Sequence, residues 1–241
     1  MLGGRLPPRG IARRGPLTPM IGRLVAGRVS AGSVPALITL AVGVAVLIYA
    51  LDLTVVATAA PTIVGEFHAL GLYGWLFSAY AIPATATTLL YGRLADVYGR
   101  KRLFAIVMAG FLAGSVACGL AGSMLQLVVF RALQGLCAGA TFPLAVGIIA
   151  DVYPIEQRAR GFSIVPFTFA LASVLGPTAG GFITDSLGWR WIFFLNVPVV
   201  LLAVGILAVA YHENRENRPA GRATLRHVDV PGALLFAAGL A

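Results

Sequence analysis

Asp52 and Arg131 are ionised side chains set inside long apolar stretches, in Leu51-Asp52-Leu53-Thr54-Val55-Val56 and Val129-Phe130-Arg131-Ala132-Leu133. A charge at the centre of a bilayer costs roughly 2.5–3.5 kcal/mol even on the mildest scale, so each should face a bundle interior and have a partner. Burial raises a carboxyl pKa and a neighbouring cation lowers it. A carboxyl held between those influences can take up and release protons near neutral pH. Gln134 follows Arg131 by one helical turn on the same face. It could bind a substrate or bond a neighbouring helix. Thr54 and Thr58 share a helix face with cavity-lining potential, or bond their own backbone. Tyr80, with Trp75 and Phe77, could form an aromatic wall. Cys118 and Cys137 read as small hydrophobes.

The elements that must position these residues are membrane helices. Of the 241 residues, 59% are hydrophobic and only 11% are charged, and the mean hydropathy is +0.88. A soluble domain carries about 25% charged residues. Low charge with high hydropathy excludes an ordinary soluble enzyme and excludes disorder. Six stretches are long enough to span, at about 20 apolar residues each. They cover about 35–63, 75–91, 103–121, 125–150, 162–184 and 191–211. Asp52 lies about 26 Å along the first span and Arg131 about 9 Å into the fourth. If consecutive spans run in opposite directions, those depths overlap and a direct or water-bridged pair is possible.

Sixteen of the 18 basic residues fall on one side of these spans. Arg190 alone lies on the other, and Arg131 lies within. That asymmetry predicts a cytoplasmic N-terminus and a cytoplasmic loop after the sixth span. The net charge of +9 therefore orients a multi-pass protein of the inner (cytoplasmic) membrane, with membrane lipid around it and no nucleic-acid partner. Residues 1–33 are basic and contain no acid, and read as a disordered cytoplasmic leader, with Met20 an alternative start. Residues 34–211 form the six-span domain, and 212–230 a polar linker. Residues 231–241 are too few to cross, and begin a seventh helix.

The motifs are specific. Gly92-Arg93-Leu94-Ala95-Asp96-Val97-Tyr98-Gly99-Arg100-Lys101-Arg102 joins the second and third spans, its glycines bracketing a tight turn. It closely resembles the G-x-L-A-D-x-x-G-R-K-R signature of the major facilitator superfamily. Arg131-Ala132-Leu133-Gln134-Gly135 is similar to that superfamily's R-x-x-Q-G motif, and Gly176-Pro177-Thr178-Ala179-Gly180-Gly181 to its antiporter motif G-P-x-x-G-G. The run Leu51 to Ile63 resembles the first-span motif of fourteen-span drug:proton antiporters, with Ala60 where many members have Leu. Gly188-Trp189-Arg190-Trp191-Ile192-Phe193-Phe194-Leu195-Asn196-Val197-Pro198 looks like the same EmrB/QacA type.

The resemblance implies an all-α membrane fold: the six-helix N-terminal half of the major facilitator fold plus the start of a seventh helix. It implies multidrug efflux, that is, proton-coupled export of amphipathic organic molecules by alternating access. Asp52 and Arg131 are then the coupling pair, with a fixed ion pair as the competing reading. Gly92, Asp96, Gly99, Arg100, Lys101 and Arg102 form the cytoplasmic gate. Gly176, Pro177, Gly180 and Gly181 form an antiporter bend, Gly176-Pro177 breaking the fifth span. Thr54, Thr58, Tyr80 and Gln134 are cavity candidates. No cofactor is expected beyond the proton gradient, and no metal. The partners are protons, a small-molecule substrate, and a C-terminal half or second copy to rock against. A facilitator for a sugar, organic acid or peptide, or an inactive truncated fragment, are the alternatives. Nucleophile–base pairs and phosphate loops are absent from the sequence, so no enzyme is expected.

Overall fold

A computed structural model describes residues 33–211, and those residues are almost entirely helical. The expected leader, linker and seventh-helix start lie outside the described residues. The first span is α1, Ser33–Phe67. A short 3-10 turn leads to the second, α2, Tyr73–Tyr98. The third is α3, Arg100–Gly119. The fourth is split into α4, Met124–Ala138, and α5, Thr141–Val152. A second 3-10 turn and the one-turn α6, Arg158–Phe162, precede the fifth span, α7, Ile164–Ser186. The sixth comprises α8, Arg190–Phe194, and α9, Asn196–Ala210.

Five of these spans are both long and apolar enough to cross a bilayer. The second, α2, has the length, 26 residues, but its Thr85-Ala86-Thr87-Thr88 run and its tyrosines lower its hydropathy. It also runs seven residues past the expected end at Tyr91. Gly92 is therefore inside a helix and does not shape a turn, and a Cβ added there would meet nothing within 4 Å. The turn is Gly99 alone, at φ +90°, a conformation that a side chain would strain.

Three spans are interrupted, and each interruption falls three residues before a proline. The breaks are at Gly139-Ala140, at Ser163 and at Leu195, ahead of Pro143, Pro166 and Pro198. A proline offers no N–H to the carbonyl four residues back, and its ring crowds that carbonyl. At the first break the Gly139 carbonyl shares the Thr88 hydroxyl, at 3.1 Å, with the Ala84 carbonyl at 2.8 Å. Pro177 behaves otherwise. Gly176-Pro177 is expected from the sequence to break the fifth span, yet α7 is continuous through it. Losing one hydrogen bond leaves the flanking turns intact, and the helix is braced from one side. Gly176 and Gly180 are buried against Thr54, Val55 and Thr58 of α1.

The first span packs on the fifth and sixth, the second on the fourth, and the third on the fourth and sixth. Exchanging spans one to three with four to six returns the same set of neighbours. Consecutive spans run antiparallel, so this is an inverted repeat of three helices. Each of the two closest crossings carries a Gly-x-x-x-Gly pair. Gly176 and Gly180 face α1. Gly135 of α4 and Gly139 just past its end face the backbone of α2, where a Cβ on either would collide with the Tyr80 or Ala84 carbonyl. Such small-residue faces let membrane helices approach closely.

Candidate functional site

Two apolar cores fill the bundle, and on α1 they are separated. The buried α1 residues of one end at Ile48 and those of the other start at Val55, with the partly buried Leu51 and Leu53 packing against opposite cores. Asp52 lies between them. Helices α3, α4 and α9 each send polar groups to the same level.

Arg131 is completely buried and Asp52 is 4% exposed. The Arg131 Nη1 donates to Asp52 Oδ2 at 2.5 Å and to Gln134 Oε1 at 2.9 Å. Its Nε donates to the Leu76 carbonyl at 3.4 Å. Gln134 Nε2 donates to the other carboxylate oxygen, Asp52 Oδ1, at 3.2 Å. The Arg131 guanidinium lies 4.1 Å from the Tyr80 ring centroid, a cation–π contact out of water. So Asp52, Arg131, Gln134 and Tyr80, all expected from sequence to matter, meet at one place. Tyr80 is fully buried and its ring meets Tyr49 at 6.2 Å, Tyr49 in turn meeting Phe169 at 6.1 Å, whereas Trp75 is exposed. Arg131 Nη2 and the Tyr80 hydroxyl are buried with no hydrogen-bond partner among the described residues.

Three participants were not among the site residues expected from sequence. Asn196 Nδ2 donates to Asp52 Oδ1 at 3.4 Å and to Ser115 Oγ at 2.9 Å. Ser115 Oγ in turn donates to the Phe193 carbonyl at 2.9 Å. Cys118 Sγ, read as inert, donates to Gln134 Oε1 at 3.7 Å. The signal available was the polar residue itself: Ser115 in an apolar run and Asn196 three residues after Phe193 are the small polar groups of their spans that face inward.

Thr54 and Thr58 stand elsewhere. Thr54 donates to carbonyls of its own helix and of Ala172 on α7, and Thr58 to Val55. Both sit in the α1–α7 seam opposite Gly176 and Gly180. Gly181 has nothing within 4 Å of its missing Cβ.

A second charged cluster lies at the end of the bundle that holds the start of α3. Arg100 pairs with Asp151 of α5, and its Nη1 donates to the Gly147 carbonyl at 2.9 Å. Asp96 is 3.6 Å from Arg100. Tyr211 donates its hydroxyl to Asp151 at 2.5 Å. Lys101 donates to the Ala208 and Tyr211 carbonyls at the end of α9, at 2.7 Å each. The gate-motif residues Asp96, Arg100 and Lys101 therefore tie the second, third, fourth and sixth spans together.

The opposite end has a clip that the sequence did not reveal. Glu66 accepts Trp189 Nε1 at 2.6 Å and Arg190 Nη1 at 2.9 Å. Trp189 is 2% exposed and belongs to the core. Its indole N–H needed a partner before it could be buried, and Glu66 supplies one.

A family model described as the Major Facilitator Superfamily matches residues 42–240. The chain belongs to that superfamily, a family of multi-pass membrane transporters. It is 41% identical over 173 residues to Multidrug resistance protein 3 of Bacillus subtilis, covering 72% of this chain and 34% of that protein. It is 40% identical over 205 residues to the MFS-type transporter phomT of Diaporthe leptostromiformis, covering 83% of this chain and 34% of that one. The proton:xylose symporter XylE has the same fold at TM-score 0.70 and 20% identity, covering 87% of this chain and 52% of that chain. The human organic anion transporter MFSD10 gives 0.68 at 19% identity, with 83% and 55% covered. The chain thus spans about a third of the length of these curated relatives and about half of the solved chains. Its fold is that of an N-terminal six-helix half.

Proposed function

We propose that this chain supplies the N-terminal half of a proton-coupled exporter of amphipathic, often cationic, organic molecules, of the fourteen-span EmrB/QacA type. The observation that carries the reading is the Asp52–Arg131 pair, buried between two apolar cores. A carboxylate there is costly unless neutralised, either by the guanidinium or by a proton. Swapping one neutraliser for the other is proton coupling: when Asp52 is protonated, Arg131 is released to other acceptors. The relatives named as multidrug transporters support the cargo class. The motif runs at Leu51–Ile63 and Gly188–Pro198 support the fourteen-span type. The basic asymmetry supports an inner-membrane location with the start of α1 in the cytoplasm. Arg100, Lys101, Asp96 and Asp151 then hold the cytoplasmic side, and alternating access needs a facing half or second copy. The drive is the proton gradient, without a cofactor.

The test is a pH-quench assay in membrane vesicles where the chain is expressed with the half it faces. Addition of an amphipathic cationic drug should collapse the pH gradient. In Asp52→Asn vesicles that response should be lost. Drug-driven proton release that survives Asp52→Asn sinks the coupling role.

A further inference from the structure

Asn196 is the donor to Asp52 whose orientation the structure fixes from behind. A hydroxyl has one proton to give. Ser115 gives its proton to the Phe193 carbonyl. Towards Asn196 it can therefore only accept, so the amide must turn its Nδ2 to both Ser115 Oγ and Asp52 Oδ1. That orientation suits an ionised carboxylate. It does not suit a protonated one, whose new O–H on Oδ1 meets the N–H groups of Gln134 and Asn196. Gln134 cannot offer its oxygen without breaking with Arg131 and Cys118, which both donate to it. Asn196 can. It borders a crevice of about 70 Å³ shared with Asp52, Leu195 and Val199, which gives the amide room to turn.

We infer that Asn196 is a positioning residue that reverses its amide when Asp52 is protonated and thereby switches the Ser115 hydroxyl off the Phe193 carbonyl. The inference rests on Asp52 being the proton carrier. A proton from solvent bonds to Asp52 Oδ1. The acid then donates to Asn196 Oδ1. Ser115 swings its proton to the same amide oxygen, and the Phe193 carbonyl loses its side-chain donor. Phe193 lies two residues before the α8–α9 break at Leu195, so the protonation state on the first span reaches the weak point of the sixth. The ionisable groups facing Asp52 are Arg131 from α4, Tyr80 from α2, Cys118 from α3 and Tyr49 on its own helix. Helix α9 has none, and Asp185, the single ionisable residue of α7, is at that helix's last turn.

The test uses the chain itself in lipid nanodiscs. Infrared spectra are titrated with pH, and the Asp52 carboxyl band is isolated by subtracting Asp52→Asn. Ser115→Ala has already removed the donor to the Phe193 carbonyl, so turning the amide strands nothing further and the titration midpoint should rise, by about tenfold in proton affinity or one pH unit. Asn196→Leu removes a donor to the carboxylate and should move it the same way. With Phe193 labelled at its carbonyl carbon, its band should shift with Asp52 titration in the wild type and not in Ser115→Ala. Midpoints unchanged in both variants overturn the inference. So does a midpoint moved by Asn196→Leu but not by Ser115→Ala, since Asn196 is then a passive donor. If Asn196→Leu does not fold, Ser115→Ala and the labelled carbonyl decide alone. A wild-type Asp52 band that never titrates overturns the proton-carrier reading itself, and the inference with it.

Discussion

The chain holds Arg–Asp pairs at two depths, and they differ in what surrounds them. Arg131–Asp52 is sealed, with side-chain exposures of 0% and 2%. Arg100–Asp151 sits at the end of the bundle with exposures of 25% and 32%. Both pairs join helices distant in sequence, and both add carbonyl acceptors to the arginine. In the first, Arg131 is wholly buried and Asp52 borders only a narrow crevice, so neither partner is hydrated freely if the other is lost. In the second, each is. The same two residue types therefore make a buried, mutually dependent pair in one place and an adjustable strap in the other.

The largest effect should come from breaking the sealed pair from one side. Arg131→Met leaves an uncompensated Asp52, and thermal or denaturant unfolding in detergent should show a loss of about 3–5 kcal/mol. The double variant Asp52→Leu with Arg131→Met should recover most of it. If the single and double variants unfold alike, the sealed pair is no different from the exposed one.

Next comes Gly135→Ala, which forces a methyl onto the Tyr80 carbonyl and so pushes α2, with its cation–π ring, off Arg131. About 1–3 kcal/mol should be lost. The matched control at the other cluster is Gly147→Ala. Its methyl would meet the Arg100 side chain near 2.7 Å, and a flexible arginine can give way. A control that costs as much as Gly135→Ala would erase the contrast.

Arg100→Gln should cost about 1 kcal/mol, because both partners are partly hydrated. The smallest effect belongs to Glu66→Gln, whose pair with Arg190 has exposures of 43% and 39%. About half a kcal/mol is expected, and melting curves at low and high salt should converge for this variant and its parent. Salt should leave the Arg131→Met penalty nearly untouched.

What the sequence made legible follows the same division. Six spans, their antiparallel order and the meeting of Asp52 with Arg131 all came from apolar run length and helix rise, because charge burial in a membrane leaves few solutions. The motif between α2 and α3 was legible as a unit but not in shape: its charges suggested a loop, while Ala95 packs into the core and carries the helix on to Tyr98. Asn196 and Ser115 were missed because one polar residue in a hydrophobic run does not say which way it faces. Glu66 was missed because its partners lie 123 and 124 residues away. Pro177 misled because a proline marks a helix for breakage only when its neighbours also let go, as they do before Pro143 and Pro198. The roles of Thr54 and Thr58 depend on their seam with Gly176 and Gly180, a register between distant helices that local spacing cannot give.

The depth of the sealed pair has an electrical consequence. Arg131 lies seven residues into α4, about 10 Å from the helix start, and that start is on the face opposite the Arg100 cluster. Asp52 stands near the middle of the 35-residue α1. If Asp52 carries the proton as proposed, a proton reaching it from either face crosses only part of the potential drop. A full crossing is worth about 2.3 kcal/mol per charge at 100 mV, so on that reading voltage acts on both proton entry and proton exit.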